Sequence, residues 1–125
     1  MVRSLNRVMV IGKVGRAPEM RYMPNGRPVT SFSVGATRSR EDVEGSQQQE
    51  ETEWFNVVAW GELAESCKEH LQRNDHVYVE GRLQTRSWET DNGSSRFRAE
   101  LVANEMILLN HSRGDASASP EANDK

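Results

Sequence analysis

The strongest constraint on the fold is an alternation of apolar and polar side chains with a period of two residues. Residues 54–60 and 76–88 alternate in this way, and residues 5–14 and 95–109 are also predicted strands. In residues 28–38 one parity consists of Thr30, Phe32, Val34 and Ala36. Because successive side chains of a β-strand point to opposite faces, this pattern predicts strands that bury one face. The chain is therefore predicted to be mostly β.

Two turn motifs group these strands into hairpins. Pro24-Asn25-Gly26 follows a short predicted strand at 19–23, and Asp91-Asn92-Gly93 separates the strands predicted at 76–90 and 95–109. Asn-Gly pairs adopt the positive φ angles that tight hairpin turns require. The strands that flank each turn are therefore predicted to pair with each other.

A single helix is predicted, over residues 61–73. Leu63, Cys67 and Leu71 recur every four residues and form one narrow apolar stripe, and Asn74 is a candidate C-cap. One helix between the third and fourth long strands of a five-strand set is typical of an OB-fold. The predicted fold class is therefore all-β with one helix, an OB-fold built as a five-stranded Greek-key barrel.

The folded domain is predicted to span residues 1–110. Gly12 and Gly35 lie inside strands and are expected to mark bulges or sharp bends. The polar residues 39–51 are predicted to form a long mobile loop between strands. Residues 111–125 lack apolar side chains to bury and are predicted to be a disordered C-terminal tail.

Composition excludes several classes of function. Cys67 is the only cysteine, so no intramolecular disulfide and no cysteine-based metal site can form. His70, His76 and His111 show no metal-ligand spacing, and the acidic stretch 41–53 lacks the regular ligand pattern of a calcium loop. There is no glycine-rich phosphate-binding loop. We therefore expect no metal, no cofactor and no enzymatic activity.

The sequence also bears on location. No segment approaches the length of apolar residues that a membrane span requires. Residues 1–7 contain no apolar run that could serve as a secretion signal. Nothing in the sequence therefore points away from the cytoplasm.

Basic residues are concentrated in the predicted barrel. The net charge is −3, but outside residues 41–53 and 111–125 there are 14 basic side chains against 10 acidic ones. Of the 16 basic residues, 13 are arginine. Arginine can bind phosphate with two hydrogen bonds and can stack on bases, so this choice favours nucleic acid as a ligand. Arginines also decorate ordinary surfaces, and the totals alone do not decide between the two alternatives.

All three tryptophans share a parity with polar residues. The face opposite Phe55, Val57 and Ala59 consists of Trp54, Asn56, Val58 and Trp60. In 76–88 the predicted core face is Val77, Val79, Leu83 and Thr85, and the opposite face is Tyr78, Glu80, Arg82, Gln84, Arg86 and Trp88. Such tryptophans could stack on nucleobases, each worth roughly 1–3 kcal/mol, could form a subunit interface, or could fill the core. Their arginine neighbours favour stacking.

Several motifs resemble the bacterial and organellar single-stranded DNA-binding proteins. They occur in the order Leu5-Asn6-Arg7-Val8, Pro18-Glu19-Met20-Arg21-Tyr22-Met23-Pro24-Asn25-Gly26, Thr52-Glu53-Trp54-Phe55-Asn56-Val57-Val58, Gly61-Glu62-Leu63-Ala64-Glu65, Val77-Tyr78-Val79-Glu80-Gly81-Arg82-Leu83 and Gln84-Thr85-Arg86-Ser87-Trp88. The resemblance covers about residues 3–109. Together and in this order the motifs are highly specific.

The resemblance implies an OB barrel that assembles as a homotetramer and coats single-stranded DNA during replication, recombination and repair, in the cytoplasm at the nucleoid. It places the stacking aromatics at Trp54, Trp60 and Trp88. It implies basic DNA contacts at Arg7, Arg21, Arg73, Arg86 and Arg96. Phe55 and His76 become candidates for the oligomer interface.

The sequence departs from the family pattern at three places. Arg40 stands where some members carry another stacking tryptophan, so a cation replaces a stacking surface. Positions that can be basic in the family are Asn56, Glu62, Gln72 and Ser87 here, which should lower affinity and flatten its salt dependence. The acidic, hydrophobic tail tip with which family members recruit replication and repair proteins is not found in residues 119–125, so recruitment of these partners stays open.

The resulting hypothesis is sequence-independent binding of single-stranded DNA. Arginines, including Arg82 on the face that carries Trp88, neutralise phosphates while the tryptophans stack on bases. The loops 15–18, 39–51 and 89–94 are expected to fold over the strand. The rival interpretations are an OB-fold RNA-binding module and a primosome-like protein-interaction module, with a nuclease a distant third.

Overall fold

A computed structural model describes residues 3–41 and 48–110. The chain forms β1 (Val8–Val14), β2 (Glu19–Tyr22), β3 (Pro28–Glu41), β4 (Gln48–Trp60), α1 (Glu62–His70), β5 (His76–Glu89) and β6 (Ser95–Asn110). Residues 111–125, the predicted tail, lie outside the described residues.

Five strands close into a barrel. The strand order is β1-β5-β6-β4-β3-β2, and an additional β1–β3 pairing closes the ring. The pairing of β4 with β6 is parallel, whereas β5 is antiparallel to both β1 and β6. The short strand β2 pairs with β3 at the side of the ring. This circuit, with one helix between the third and fourth barrel strands, is an OB-fold and confirms the predicted fold class.

The barrel interior is formed by the strand faces that the alternation predicts. Phe32, Val34, Val57, Val77 and Val79 are fully buried. Burying a side chain of this kind contributes roughly 1.5–3 kcal/mol. The core extends to the helix, where Cys67 and Leu71 pack against the strands, and the hydroxyl of Thr30 donates a 2.7 Å hydrogen bond to the carbonyl of Ala64.

Helix α1 is shorter than its apolar stripe predicts. It ends at His70, and Leu71 is the C-cap with an extended backbone (φ −97°, ψ 142°). The prediction of Asn74 as the C-cap is wrong, because this residue forms a separate turn with φ 75°. The backbone N–H of Gln72 donates to the buried Asp75 carboxylate at 2.9 Å. This local hydrogen bond holds a turn where the helix would otherwise continue.

Beyond Gly81 the strands β5 and β6 leave the barrel. The β5–β6 register shifts between Glu80 and Gly81, and a Cβ on Gly81 would lie 2.0 Å from the carbonyl oxygen of Val102. The residues beyond this bulge, 82–100, form a two-stranded arm. Leu83 is 46% exposed and Thr85 is also exposed, so their prediction as core residues is wrong.

Of the bulges or sharp bends expected at the two strand glycines, the bulges are not found. The β1–β5 register runs regularly through Gly12, and the β3–β4 register runs regularly through Gly35. The two glycines instead permit close approach of β1 and β3, because a Cβ on Gly12 would lie 2.3 Å from the carbonyl oxygen of Gly35.

Much of the loop predicted at 39–51 is strand. Strand β3 continues to Glu41 and β4 begins at Gln48, and residues 42–47 lie outside the described part of the chain. The hydroxyls of Thr37 and Thr52 hydrogen-bond across the two strands at 2.7 Å. Cross-strand pairs of this kind stabilise a polar ribbon that has no apolar face to bury.

Candidate nucleic-acid interface

An open groove of about 660 Å³ crosses the outer face of the barrel. Its surface comes from β2, β3, β4, the arm and the loop after β1. The charged side chains that line it are Arg16, Glu19, Arg21, Arg86, Arg98 and Glu100. Arginines outnumber carboxylates in this groove, so it favours a negatively charged ligand. We call it the main groove.

Trp54 and Trp60 lie on the same outer face of β4. Trp60 lines the main groove, and Trp54 is 57% exposed beyond it. The two are six positions apart along the strand, which corresponds to roughly 20 Å at about 3.3 Å per residue. Alternation therefore brings two indole rings to one side of the barrel, as their parity predicts.

Basic side chains also surround Trp54. A smaller cavity beside its ring is lined by Lys13, Arg16 and Arg73. Arg16 thus lines both this cavity and the main groove. Its backbone is held in place, because its N–H donates a 2.7 Å hydrogen bond to the hydroxyl of Ser33. Arg16 therefore stands between the two tryptophans.

The arm carries the third tryptophan. Trp88 pairs with Arg96 across the β5–β6 hairpin, and Arg86 pairs with Arg98. Directly opposed residues of an antiparallel pair share a face, and this face continues into the main groove through Arg86 and Arg98. Trp88 is 42% exposed. The arm therefore extends the basic and aromatic surface away from the barrel.

Two other charged residues of the arm, Glu100 and Arg82, lie in or near the main groove. Glu100 is buried at the floor of the main groove, and its carboxylate lies 3.6 Å from the Arg86 guanidinium. Arg82 donates a 3.1 Å hydrogen bond to the side chain of Gln84, a groove residue. Arg82 thus lies close to the groove without lining it.

The structure does not bring every predicted DNA contact to the main groove. Arg7 pairs with Glu80 on the outer side of β5. Arg40 pairs with Glu51 at 3.2 Å, and by strand alternation it lies on the face of the β3–β4 ribbon opposite Trp54. Arg21 and Arg86 line the groove, Arg73 lies beside Trp54, and Arg96 lies beside Trp88.

The two candidate interface residues lie apart. Phe55 faces inward on β4 and packs against the core. His76 begins β5 and lines a cavity with Ile11 and Trp54. The outer face of β1, β5 and β6 next to His76 exposes the apolar side chains of Met9, Ile11, Ile107 and Leu109, with Tyr78 and Glu80 of β5 between them.

Four basic residues near the tryptophans were missed by the sequence analysis. Arg98 could have been found, because counting from the Asp91-Asn92-Gly93 turn places it opposite Arg86. Lys13, Arg16 and Arg27 carry no comparable pattern, since Arg16 and Arg27 lie outside strands and Lys13 is the next-to-last residue of β1. Their positions depend on how the loops close over the barrel.

Three further properties of the described residues concern metal binding, the Cys67 thiol and membrane crossing. Within 3–41 and 48–110, no group of three His, Cys, Asp or Glu side chains is arranged to hold a metal ion. Burial raises the pKa of the Cys67 thiol to about 12, which disfavours the nucleophilic thiolate. No helix in the described part of the chain is long and apolar enough to cross a membrane.

A closed OB barrel with indole rings and an arginine-lined groove on one face belongs to the class of single-stranded nucleic-acid-binding proteins. The model of the single-strand binding protein family matches residues 5–109. The chain belongs to this family, which confirms the resemblance seen in its motifs.

Two relatives agree with this assignment. Over 110 residues the chain is 42% identical to Single-stranded DNA-binding protein 1 of Chlorobaculum tepidum, and the match covers 87% of this chain and 67% of that protein. It is also similar to a solved Plasmodium falciparum SSB in complex with ssDNA, with a TM-score of 0.80 and 27% identity. That match covers 88% of this chain and 99% of the other.

Proposed function

We propose that this protein binds single-stranded DNA without sequence preference and keeps it unpaired during replication, recombination and repair. The observation that carries the proposal is the placement of Trp54 and Trp60 on one face of β4 beside the arginine-lined groove. Every base has a face that can stack, and phosphates are the same in every sequence. The Chlorobaculum and Plasmodium relatives, named for single-stranded DNA and bound to ssDNA respectively, support it.

The strand follows a path from the arm through the main groove, past Arg16, to Trp54. The distance between the two β4 tryptophans fits roughly six nucleotides at the ~3.4 Å spacing of a stacked strand, and fewer if the strand is extended. The groove arginines neutralise phosphates and release counterions. Four such contacts give a slope of about −3 for log K against log salt.

The protein does no chemistry on the DNA in this proposal. Its role is to cover the bases and hold the strand open, so it needs neither a metal nor a cofactor. It works in the cytoplasm, at the nucleoid, where single strands are exposed. Membership of a family of DNA-binding proteins supports both the non-enzymatic role and the location at the DNA.

The working unit is a homotetramer. The outer face of β1, β5 and β6 exposes Met9 and Ile11 by 62% and 61%, next to Ile107 and Leu109. Several large apolar side chains exposed on one face of a small domain are typical of an interface. His76 borders this face, whereas Phe55 packs against the core and reaches the surface at a small cavity beside Ala36 and Glu53, where a second contact would form.

Titration of intrinsic tryptophan fluorescence with oligo-dT tests the function. We expect strong quenching that weakens as salt rises, and a large loss of affinity in a Trp54→Ala, Trp88→Ala double variant. Phe97→Ala is the matched control, because Phe97 is 71% exposed on the face of the arm opposite Trp88. Matched oligo-U should compete less well than oligo-dT. Unchanged affinity in the double variant, with folding verified by circular dichroism, would reject base stacking as the mode of binding.

A further inference from the structure

Trp60 is covered on one side by an arginine. The guanidinium carbon of Arg27 lies 5.0 Å from the centroid of the indole ring. A cation within about 6 Å of an aromatic face is attracted by the ring quadrupole. Arg27 makes no ion pair with a carboxylate among the described residues, so its charge is available to the ring.

The register explains the contact. Val29 pairs directly with Trp60 across β3 and β4. Arg27 is two residues before Val29, just outside β3, and its guanidinium reaches the ring of Trp60 from there. The N–H of Gly61 donates to the carbonyl of Pro28 at 3.0 Å and holds the two segments together. The contact thus depends on the pairing of β3 with β4 and on the conformation of the turn that carries Arg27.

The loop that carries Arg27 is itself tied down. The N–H of Arg27 donates to the Asn25 side chain at 2.9 Å, and the carbonyl of Arg27 accepts from the N–H of Met23 at 2.9 Å. Gly26, with φ 88°, donates to the carbonyl of Met23 at 2.7 Å. The base of the Arg27 side chain is therefore fixed relative to the ring.

Trp60 also lines the main groove. Trp60 lines that groove together with Arg21, Met23 and Val29, whereas Arg27 is not among the described residues that line it. The guanidinium thus covers one face of an indole that contributes to the groove, and Arg27 does not itself line the groove.

We propose that Arg27 is a positioning residue for base stacking: it holds Trp60 from behind, so that the ring stacks one base on its groove side only. This inference rests on the proposed function. The advantage is preorganisation, because a ring that is already held loses less freedom when a base binds. Removal of the guanidinium frees the ring, and binding should weaken about two- to ten-fold, the cost of immobilising one side chain on association.

A double-mutant cycle tests this role. We expect Arg27→Ala to weaken oligo-dT binding in the wild-type chain and to have no further effect in a Trp60→Leu background. The slope of log K against log salt should not change, because Arg27 acts on the ring and not on a phosphate. Arg27→Lys keeps the charge but lacks the planar guanidinium group. Its affinity for oligo-dT should fall between those of the wild-type chain and Arg27→Ala. Arg3→Ala, which removes another exposed arginine, is the charge control.

A second measurement keeps the proposal separate from DNA binding itself. In a Trp54→Phe, Trp88→Phe background the emission reports only Trp60, and Arg27→Ala should change its intensity or wavelength without DNA. The contrary result is that Arg27→Ala costs the same affinity in the wild-type chain and in the Trp60→Leu chain, with a slope of log K against log salt that is shallower by about 0.7. That result would identify Arg27 as a phosphate contact and overturn the proposal. Unchanged Trp60 emission would also overturn it. If the wild-type chain bound no oligo-dT, the proposed function would fail, while the emission measurement would still decide the Arg27–Trp60 contact.

Discussion

The six-membered ring of Trp54 lies against Gly35, the residue that pairs with it across β3 and β4. A Cβ on Gly35 would be 2.8 Å from Cζ3 of the indole, and a Cβ on Gly15 would be 2.4 Å from the same atom. Neither glycine adopts a positive φ. Both positions therefore require glycine because a side chain there would collide with the Trp54 ring. Together the two glycines form the surface that orients the ring.

Gly35→Ala should weaken oligo-dT binding through Trp54. The added methyl group must push the ring away, and the loss should approach that of one stacked base, roughly 1–3 kcal/mol. Fluorescence titration measures the affinity, and thermal unfolding checks that the barrel persists. The matched control is Gly35→Ala in a Trp54→Leu background, where no additional loss is expected. The same loss in both backgrounds would mean that Gly35 acts through the barrel and not through the ring.

Arg16→Gln should prevent one DNA strand from contacting Trp54 and Trp60 at the same time. Because Arg16 lines both the main groove and the cavity beside Trp54, a strand that reaches both rings passes this guanidinium. We expect weaker binding and a salt slope shallower by about 0.7. We also expect the cost of Trp54→Leu to be smaller in the Arg16→Gln background than in the wild-type chain.

Arg3→Gln is the control for the Arg16 experiment, since it removes a charge away from both cavities. Its effect should add to that of Trp54→Leu without coupling. Losses for Arg16→Gln that are likewise additive would show that the strand reaches Trp54 by another path.

Glu51 holds two arginines that could otherwise bind phosphate. Its carboxylate lies 2.8 Å from Arg38 and 3.2 Å from Arg40. We expect Glu51→Gln to tighten oligo-dT binding at low salt and to steepen the salt slope, because both guanidinium groups are released. Arg40→Ala added to this variant should return the affinity toward the wild-type value.

The control for Glu51 is Glu69→Gln, which removes an exposed carboxylate on α1. It should leave the salt slope unchanged. If Glu51→Gln behaves in the same way, the arginines of this ribbon do not reach the strand, and the DNA-binding role predicted for Arg40 is lost.

Ile11→Glu should break the homotetramer. Ile11 is 61% exposed on the outer face of β1, β5 and β6, opposite Tyr78, and burial of an unpaired carboxylate there would oppose association. Sedimentation velocity should show smaller species with an intact circular dichroism spectrum. Glu105→Gln, at the border of the same face, is the control. A wild-type chain that sediments as a monomer would refute the assembly.

The parts of the fold that could be predicted from sequence are those that follow from alternation alone. Phe32, Val57 and Val77 are buried as predicted, because a closed barrel preserves the two faces of each strand. Trp54 and Trp60 share an outer face for the same reason. Leu83 was misplaced, because the bulge at Gly81 and the departure of the arm depend on the barrel as a whole.

The missed parts of the candidate site come from loops and ion pairs. Arg16 and Arg27 lie outside strands, and their distances from the tryptophans depend on hydrogen bonds to Ser33 and Asn25. The partner of Arg40 could not be read from composition, because Glu51 meets it through a hairpin that was expected to be a loop. Periodicity locates faces of strands, but it does not show which charges neutralise each other.

The stability of the wild-type chain should fall between pH 9 and 12 by more than that of a Cys67→Ala variant. Burial raises the pKa of the Cys67 thiol from an ordinary 9.0 to about 12, so in this range the unfolded chain loses the thiol proton while the folded chain keeps it. The free energy of unfolding then decreases by up to about 1.4 kcal/mol per pH unit. Urea unfolding at several pH values measures this slope.

The comparison with Cys67→Ala isolates the thiol, because every other titration is common to both chains. Tyr78 is the main example: its hydrogen bond to Glu80 raises the pKa of the phenol, so its effect has the same sign in both proteins. Alanine leaves a small cavity and lowers stability at neutral pH, but that loss does not depend on pH. Parallel pH profiles for the two chains would show that the thiol ionises in the folded barrel and that Cys67 is more accessible to solvent than the structure places it.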